Sequence, residues 1–146
     1  MEQAIQDFIS SKKIAVVGCS RNGRKFGNSA YKELKKRGYQ VFAVHPTEEE
    51  IESDKCFPNL TSLQGAVDSV LISVSPENVE SILKEAALAG IKNVWIQQGA
   101  ESKKAIETAS RLGLNFVSKK CILMYAPPVN SIHKLHRGVT KIFGRL

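Results

Sequence analysis

Much of what would mark a specialised chain is missing from these 146 residues. No apolar run approaches the roughly 20 residues of a membrane-spanning helix. The opening MEQAIQDFISSKK carries acids where a secretory leader would be basic, and no apolar stretch follows them, so a cytoplasmic location is expected. Cysteine is scarce: Cys19, Cys56 and Cys121 are odd in number and far apart. Without a C-x-x-C pair, neither a structural zinc site nor a thioredoxin-like motif is expected, and buried free thiols are the simpler reading. No Gly/Ser linker divides the chain and no internal repeat shows, so one domain with a full core is expected. No Ser-His-Asp or Cys-His-Asp grouping stands in the sequence. Among His45, His133 and His136, the last two share an i, i+3 spacing, but two histidines make a poor metal site. No metal site is expected.

Acidic residues are also unevenly withheld. Lys and Arg number 21 against 14 Asp and Glu, giving a formal charge of +7. Arg21, Arg24, Lys25, Lys32, Lys35, Lys36 and Arg37 face only Glu33 in their stretch. No acid follows Glu107, so Lys119, Lys120, Lys134, Arg137, Lys141 and Arg145 stand unopposed. Glu48, Glu49, Glu50, Glu52 and Asp54 form an acidic patch between these regions. A basic balance attracts phosphates of any kind without choosing among them. The absence of a basic helix–turn–helix pattern and of interleaved aromatics argues against a nucleic-acid reader.

What is present is an alternation of β-branched runs and helical stretches. Ile5, Phe8 and Ile9 predict a short leading helix. KIAVVG (13–18), YQVFAV (39–44), VDSVLISV (67–74), NVWIQ (93–97) and LNFVS (114–118) read as five strands. Helices are predicted over 29–37, 76–89 and 101–112. Asn28 or Ser29 is the expected N-cap of the first of these, and Ser75 that of the second. Residues 47–63 read as a loop with a short helical turn near its end. This alternation predicts an α/β fold: a Rossmann-like, doubly wound, mainly parallel five-stranded sheet with helices on both faces in three layers. The domain is expected over 1–128. Beyond Pro128, Ile132, Leu135, Val139, Ile142, Phe143 and Leu146 fall on one stripe opposite basic residues. A basic amphipathic helix over 129–146 is expected, packed on the domain or on a second copy in a homodimer. A membrane-surface role is the lesser alternative.

In such a sheet, ligands bind beyond the carboxyl ends of the strands, where strand order reverses. At the first end, Gly18 allows close backbone approach, Ser20 offers a hydroxyl, and Arg21, Arg24 and Lys25 supply charge before a helix N-terminus. The segment is Gly-Cys-Ser-Arg-Asn-Gly rather than the G-x-G-x-x-G of a dinucleotide site. At the second end, Val44-His45-Pro46 lacks the acid that holds the ribose hydroxyls of NAD. The third, Ser73-Val74-Ser75, has small residues that let a ligand lie along the backbone. The fourth places Gln97 and Gln98 before Gly99, and at least one amide is expected to face the cleft. Cys19, near bases and a helix N-terminus, sits where a thiol's pKa would be lowered; a mixed disulfide with a ligand thiol is one hypothesis, and a buried small side chain the simpler one.

Taken together and in order, IAVVGCSRN, RGYQVFAVHP, VDSVLISVSPE, AGIKNVWIQQGAES and RLGLNFVSKKCILMY carry a family pattern. The chain resembles the small stand-alone coenzyme A-binding proteins, whose Rossmann-like domain also opens the succinyl-CoA synthetase α subunit. The resemblance runs from about Lys13 to Tyr125. It implies a site for coenzyme A or an acyl-CoA. Gly18, Ser20 and the following basic loop would take phosphates. Val44, His45 and Pro46 would border the adenosine. Ser73, Val74 and Ser75 would line the extended portion, and Gln98 with Gly99 would lie near the pantetheine arm. His45 departs from the asparagine usual before the proline, and the 21–27 loop is more basic than usual. The larger synthetases use a histidine on a further domain that this sequence lacks, so a binding module without catalytic residues of its own is expected. An NADP-dependent oxidoreductase, or the ligand-binding subunit of a separate CoA ligase, are the alternatives.

Overall fold

The computed structural model describes residues 1–129. The leading segment forms helix α1 (Glu2–Ile9), and KIAVV forms strand β1 (Lys13–Val17). Then follow α2 (Phe26–Lys36), β2 (Gln40–Val44), β3 (Glu50–Ile51), β4 (Asp54–Phe57) and β5 (Ser69–Ile72). The chain continues through α3 (Pro76–Leu88), β6 (Asn93–Gln97), α4 (Lys103–Arg111) and β7 (Asn115–Lys120). Single 3-10 turns occur at Thr61–Leu63 and Ile122–Met124.

The strands form one sheet in the order β3-β4-β2-β1-β5-β6-β7. All neighbouring pairs are parallel except β3 with β4. Parallel strands buried on both faces read as nearly continuous apolar runs, and β5, SVLI, is buried throughout, with the Ser69 hydroxyl paired to that of Ser11. Alternate residues of β1 serve opposite layers. Ile14 and Val16 join Phe8, Tyr31, Leu34 and Trp95 under α1 and α2. Ala15 joins Val70, Leu83, Ile96 and Ala105 under α3 and α4. The three-layer α/β architecture thus follows from a period of two in the strands set against helical stripes. Trp95 and Phe8, both essentially inaccessible, meet edge to face with ring centroids 5.3 Å apart. Removing either ring would cost about 3–5 kcal/mol.

The five expected strands are all present, but the sheet has seven among the described residues. The extra pair, β3 and β4, lies where a loop was expected. Its sequence, EIESDKCF, is short and charged, and its turn residues Glu52 and Ser53 adopt φ of 52° and 67° without a glycine. Non-glycine residues resist that conformation, so the usual hairpin signal is missing. Tertiary contacts hold the pair: Asp54 accepts hydrogen bonds from Tyr31 Oη and Lys35 Nζ of α2, each 2.7 Å. These partners, Lys35 foremost, hold the Asp54 carboxyl below its ordinary pKa.

Helix α2 also begins earlier than expected. Lys25, with extended backbone (φ −80°, ψ 155°), occupies the N-cap position and no side chain caps the helix. Asn28 and Ser29 are therefore inside the first turn. Ser75 does stand at the N-cap of α3, but its side chain makes no capping bond there. The side-chain cap appears instead on α4, where Ser102 Oγ accepts the Ala105 N–H at 3.0 Å. The expected amphipathic tail helix lies outside the described residues.

Candidate functional site

Strand order reverses at β1, which has β2 on one side and β5 on the other. Successive strands wind to opposite sides of it, and their connections part, which opens a crevice above their carboxyl ends. A cleft of about 450 Å³ occupies that position. Gly18, Cys19 and Lys25 form one wall, and Val44, His45, Pro46 and Pro58 a second. Ser73, Val74 and Ser75 border its base, and Asn78, Ser81, Ile82 and Glu85 of α3 face it. This volume is within the ordinary range of small-molecule sites.

Glycine is required at the closest approach in the first wall. A Cβ on Gly18 would stand 2.1 Å from the Ser73 carbonyl oxygen, and Gly18 has φ of 131°. A Cβ on Gly27 would stand 2.3 Å from the Gly18 carbonyl oxygen. Helix α2 therefore starts directly on the end of β1, with backbone against backbone. That contact sets the N-terminal turn of α2 beside the strand ends, a position where an anion is favoured.

The loop between Gly18 and α2 is tied to itself. Asn28, wholly buried, accepts the Ser20 N–H at Oδ1 (2.8 Å). Its Nδ2 donates to the Ser20 carbonyl and to Glu52 Oε2, each 2.9 Å. Ser20 Oγ donates to Asn22 Oδ1 at 2.7 Å, and the same Asn22 oxygen accepts the Arg24 N–H at 2.9 Å. The hydroxyl read from the sequence as a phosphate donor is thus engaged within the loop. Ser20, Arg21 and Arg24 do not line the cleft, and Arg21 Nε lies 4.0 Å from Glu48. Lys25 is the basic side chain that the structure brings to the wall.

At the second wall, His45 Nδ1 accepts the backbone N–H groups of Thr47 (3.1 Å) and Glu48 (3.3 Å). The His45 N–H itself donates to the Phe57 carbonyl at 2.9 Å, which anchors the end of β2 to β4. On α3, Glu85 Oε1 accepts the Leu60 N–H and fastens the 58–60 stretch to that helix.

The fourth strand end lies apart. Gln98 and Gly99 are exposed and do not line the cleft. Gln97 is the buried amide, and its Oε1 accepts the Ile122 N–H at 3.1 Å. Its role is to bind the 3-10 turn to the sheet rather than to face a ligand. Cys19 also departs from the electropositive setting its neighbours suggested. Its side chain is 5% exposed, packed in the core beside Cys56 and Glu52. Burial first, and then those two neighbours, push its thiol up to about 12.

The sequence reading missed Asn28 as the organiser of the loop and the α3 residues that face the cleft. Asn78, Ser81, Ile82 and Glu85 recur at i, i+3, i+4 and i+7, a single helical stripe, and that spacing was the available signal. No sequence signal marked Asn28, because its partners lie 8 and 24 residues away.

The cleft's position is matched by an assignment along the chain: the model of the CoA binding domain covers residues 12–127. The protein belongs to this CoA-binding domain family. The domain is 29% identical over 126 residues to the α subunit of the ADP-forming acetate–CoA ligase II of Pyrococcus furiosus. That alignment takes in 79% of this chain but only 28% of the ligase subunit. Small proteins match over nearly their whole length. A hypothetical protein from Pyrococcus horikoshii OT3 superposes with a TM-score of 0.77 at 28% identity, covering 86% of this chain and 89% of that one. A conserved hypothetical protein from Pyrococcus furiosus gives 0.73 at 36% identity, covering 77% and 97%. Among the described residues, no helix is long and apolar enough to cross a membrane.

Proposed function

We propose that this CoA-binding domain holds coenzyme A, or an acyl derivative, in the cleft above β1, β2 and β5, and supplies no catalytic side chain of its own. The observation that carries the reading is the coincidence of that cleft with the family assignment over residues 12–127. Lys25 and the first-turn N–H groups of α2 would receive the ligand's pyrophosphate. Val44, His45 and Pro46 would border its adenosine. Ser73, Val74 and Ser75 would run beside the extended arm, toward Asn78 and Ser81. The reactive groups nearest the ligand are already committed. The Cys19 thiol is neutral far above physiological pH, His45 Nδ1 closes a turn, and Glu85 holds Leu60. A ligand-holding partner of a separate CoA ligase is a reading favoured by the likeness to the acetate–CoA ligase subunit. The protein is also proposed to work in the cytoplasm.

Calorimetric titration with coenzyme A, acetyl-CoA, NAD and NADP at one salt concentration tests this. Saturable binding of the two coenzyme A species alone is expected. Binding of NADP in their place would overturn the proposal in favour of a redox role.

A further inference from the structure

The ring of His45 holds information about what the second wall reads. A backbone N–H donates only to a ring nitrogen with a free lone pair. His45 Nδ1 receives two of them, from Thr47 and Glu48, with Thr47 Oγ1 also within 3.3 Å. The neutral ring must therefore carry its proton on Nε2, on the side of the imidazole away from the turn. Nε2 is thus the ring nitrogen left to donate at this wall of the cleft.

Its place on the fold gives that donor a meaning. The end of the second strand is where a dinucleotide-binding sheet reads the ribose: a carboxylate there accepts from sugar hydroxyls, whereas a donor there suits a phosphorylated ribose. The neighbouring wall residues, Val44, Pro46 and Pro58, contribute no side-chain donor. Lys25 stands in the other wall, beside the start of α2. We propose that His45 is the specificity-determining residue for the phosphate on the adenosine ribose, donating Nε2–H to one of its oxygens. This deepens the coenzyme A reading and rests on it. The division of labour is then clear: Lys25 and α2 take the diphosphate, and His45 takes the ribose phosphate.

The test compares coenzyme A with 3′-dephospho-coenzyme A on the whole protein, by calorimetry, for wild type and His45→Ser. A serine Oγ can accept from residues i+2 and i+3, as in an ST turn, while its short side chain places no donor where the ring's Nε2 stands, so this variant keeps the turn and loses the outward donor. Wild type should prefer coenzyme A. In His45→Ser that preference should fall roughly tenfold, coenzyme A losing more affinity than the dephospho form, as expected for losing one hydrogen bond to a charged group. Ring 15N shifts should show Nδ1 unprotonated in the free protein and Nε2 moving on addition of coenzyme A but not of the dephospho form. An equal loss for both ligands, or a proton found on Nδ1, would overturn the assignment and leave coenzyme A binding standing. Absence of coenzyme A binding by wild type would remove the functional reading and this assignment with it.

Discussion

Two strands of this sheet run into a glycine with positive φ, and the two glycines do different things. Gly18 follows β1 and Gly99 follows β6, one residue beyond Gln98. Around Gly18 there is no room for a single added carbon: Ser73 lies on one side and Gly27 on the other. Around Gly99 nothing stands within 4 Å of where a Cβ would be. One glycine makes a site possible by letting three backbone segments converge. The other merely turns the chain. A strand followed by glycine is therefore not by itself a mark of function; what counts is which element packs over it.

That contrast can be broken experimentally, and the largest effect should come at the convergence. Gly27→Ala forces a side chain into the Gly18 backbone, which cannot rotate away, and should lower stability by about 3 kcal/mol or more. Gly99→Ala meets open space and only the strain of φ at 96°, so about 1–2 kcal/mol is expected. Urea unfolding of the two variants measures the difference; equal losses would mean that the β1–α2 contact is looser than described.

Next comes Asn28→Ala. It removes the amide that satisfies Ser20 on both sides and tethers Glu52. Loss of about 2–3 kcal/mol is expected, with the loop's proteolytic sensitivity rising in step. A variant as stable as wild type would show that the loop is held by Gly18 and Gly27 alone.

Binding should separate the two strand ends more finely. Lys25→Ala should weaken coenzyme A by roughly 1–3 kcal/mol if its ammonium meets a phosphate. Ser20→Ala should weaken it less, because its hydroxyl is already bonded to Asn22. Gln98→Ala, on the far strand end, should leave affinity within error. If Gln98→Ala weakens coenzyme A as much as Lys25→Ala does, the ligand extends over β6.

The smallest effect concerns Cys19. Its thiol is raised from 9.0 to about 12, so the folded state favours the neutral form. That contribution to stability is fully present below pH 9 and is lost as pH rises through about 12. Alkaline unfolding should therefore shift upward in Cys19→Ala relative to its own neutral-pH stability, and alkylation of native wild type at neutral pH should spare Cys19 while labelling the part-exposed Cys121. Rapid labelling of Cys19 in the folded protein would sink this account.

Much of this was legible in the sequence for a clear reason. Ile14, Val16, Val70 and Val94 sit in β-branched runs bounded by glycine, and Pro76 with Glu77 announces a helix start. The order of those signals dictates an α/β alternation, and the strand ends name Gly18, Val44, His45 and Ser73 as neighbours of a crevice. The rest was hidden because it depends on partners distant in sequence. Glu52 and Ser53 turn a hairpin without a turn residue's chemistry, held by Tyr31 and Lys35 through Asp54. Gln97 and Gln98 look alike on paper, yet strand alternation and the 3-10 turn bury one and expose the other. Arg21 and Arg24 add charge to the loop's composition, but the internal bonds of Asn22 and Asn28 direct the loop so that Lys25 alone of the three reaches the wall.

The sequence by itself determined the layers, because a period of two in five apolar runs and helical stripes between them leave few other ways to bury both faces of the strands. It also determined where the crevice lies, since parallel strands expose their ends together. Only the tertiary structure decided which side chains face that place. Helix α3 swings Asn78 and Glu85 over the crevice, burial turns Cys19 inward, and two backbone N–H groups turn His45 Nδ1 toward the 47–48 backbone. Those outcomes rest on contacts between residues far apart in the chain, whose geometry exists only once the sheet has formed.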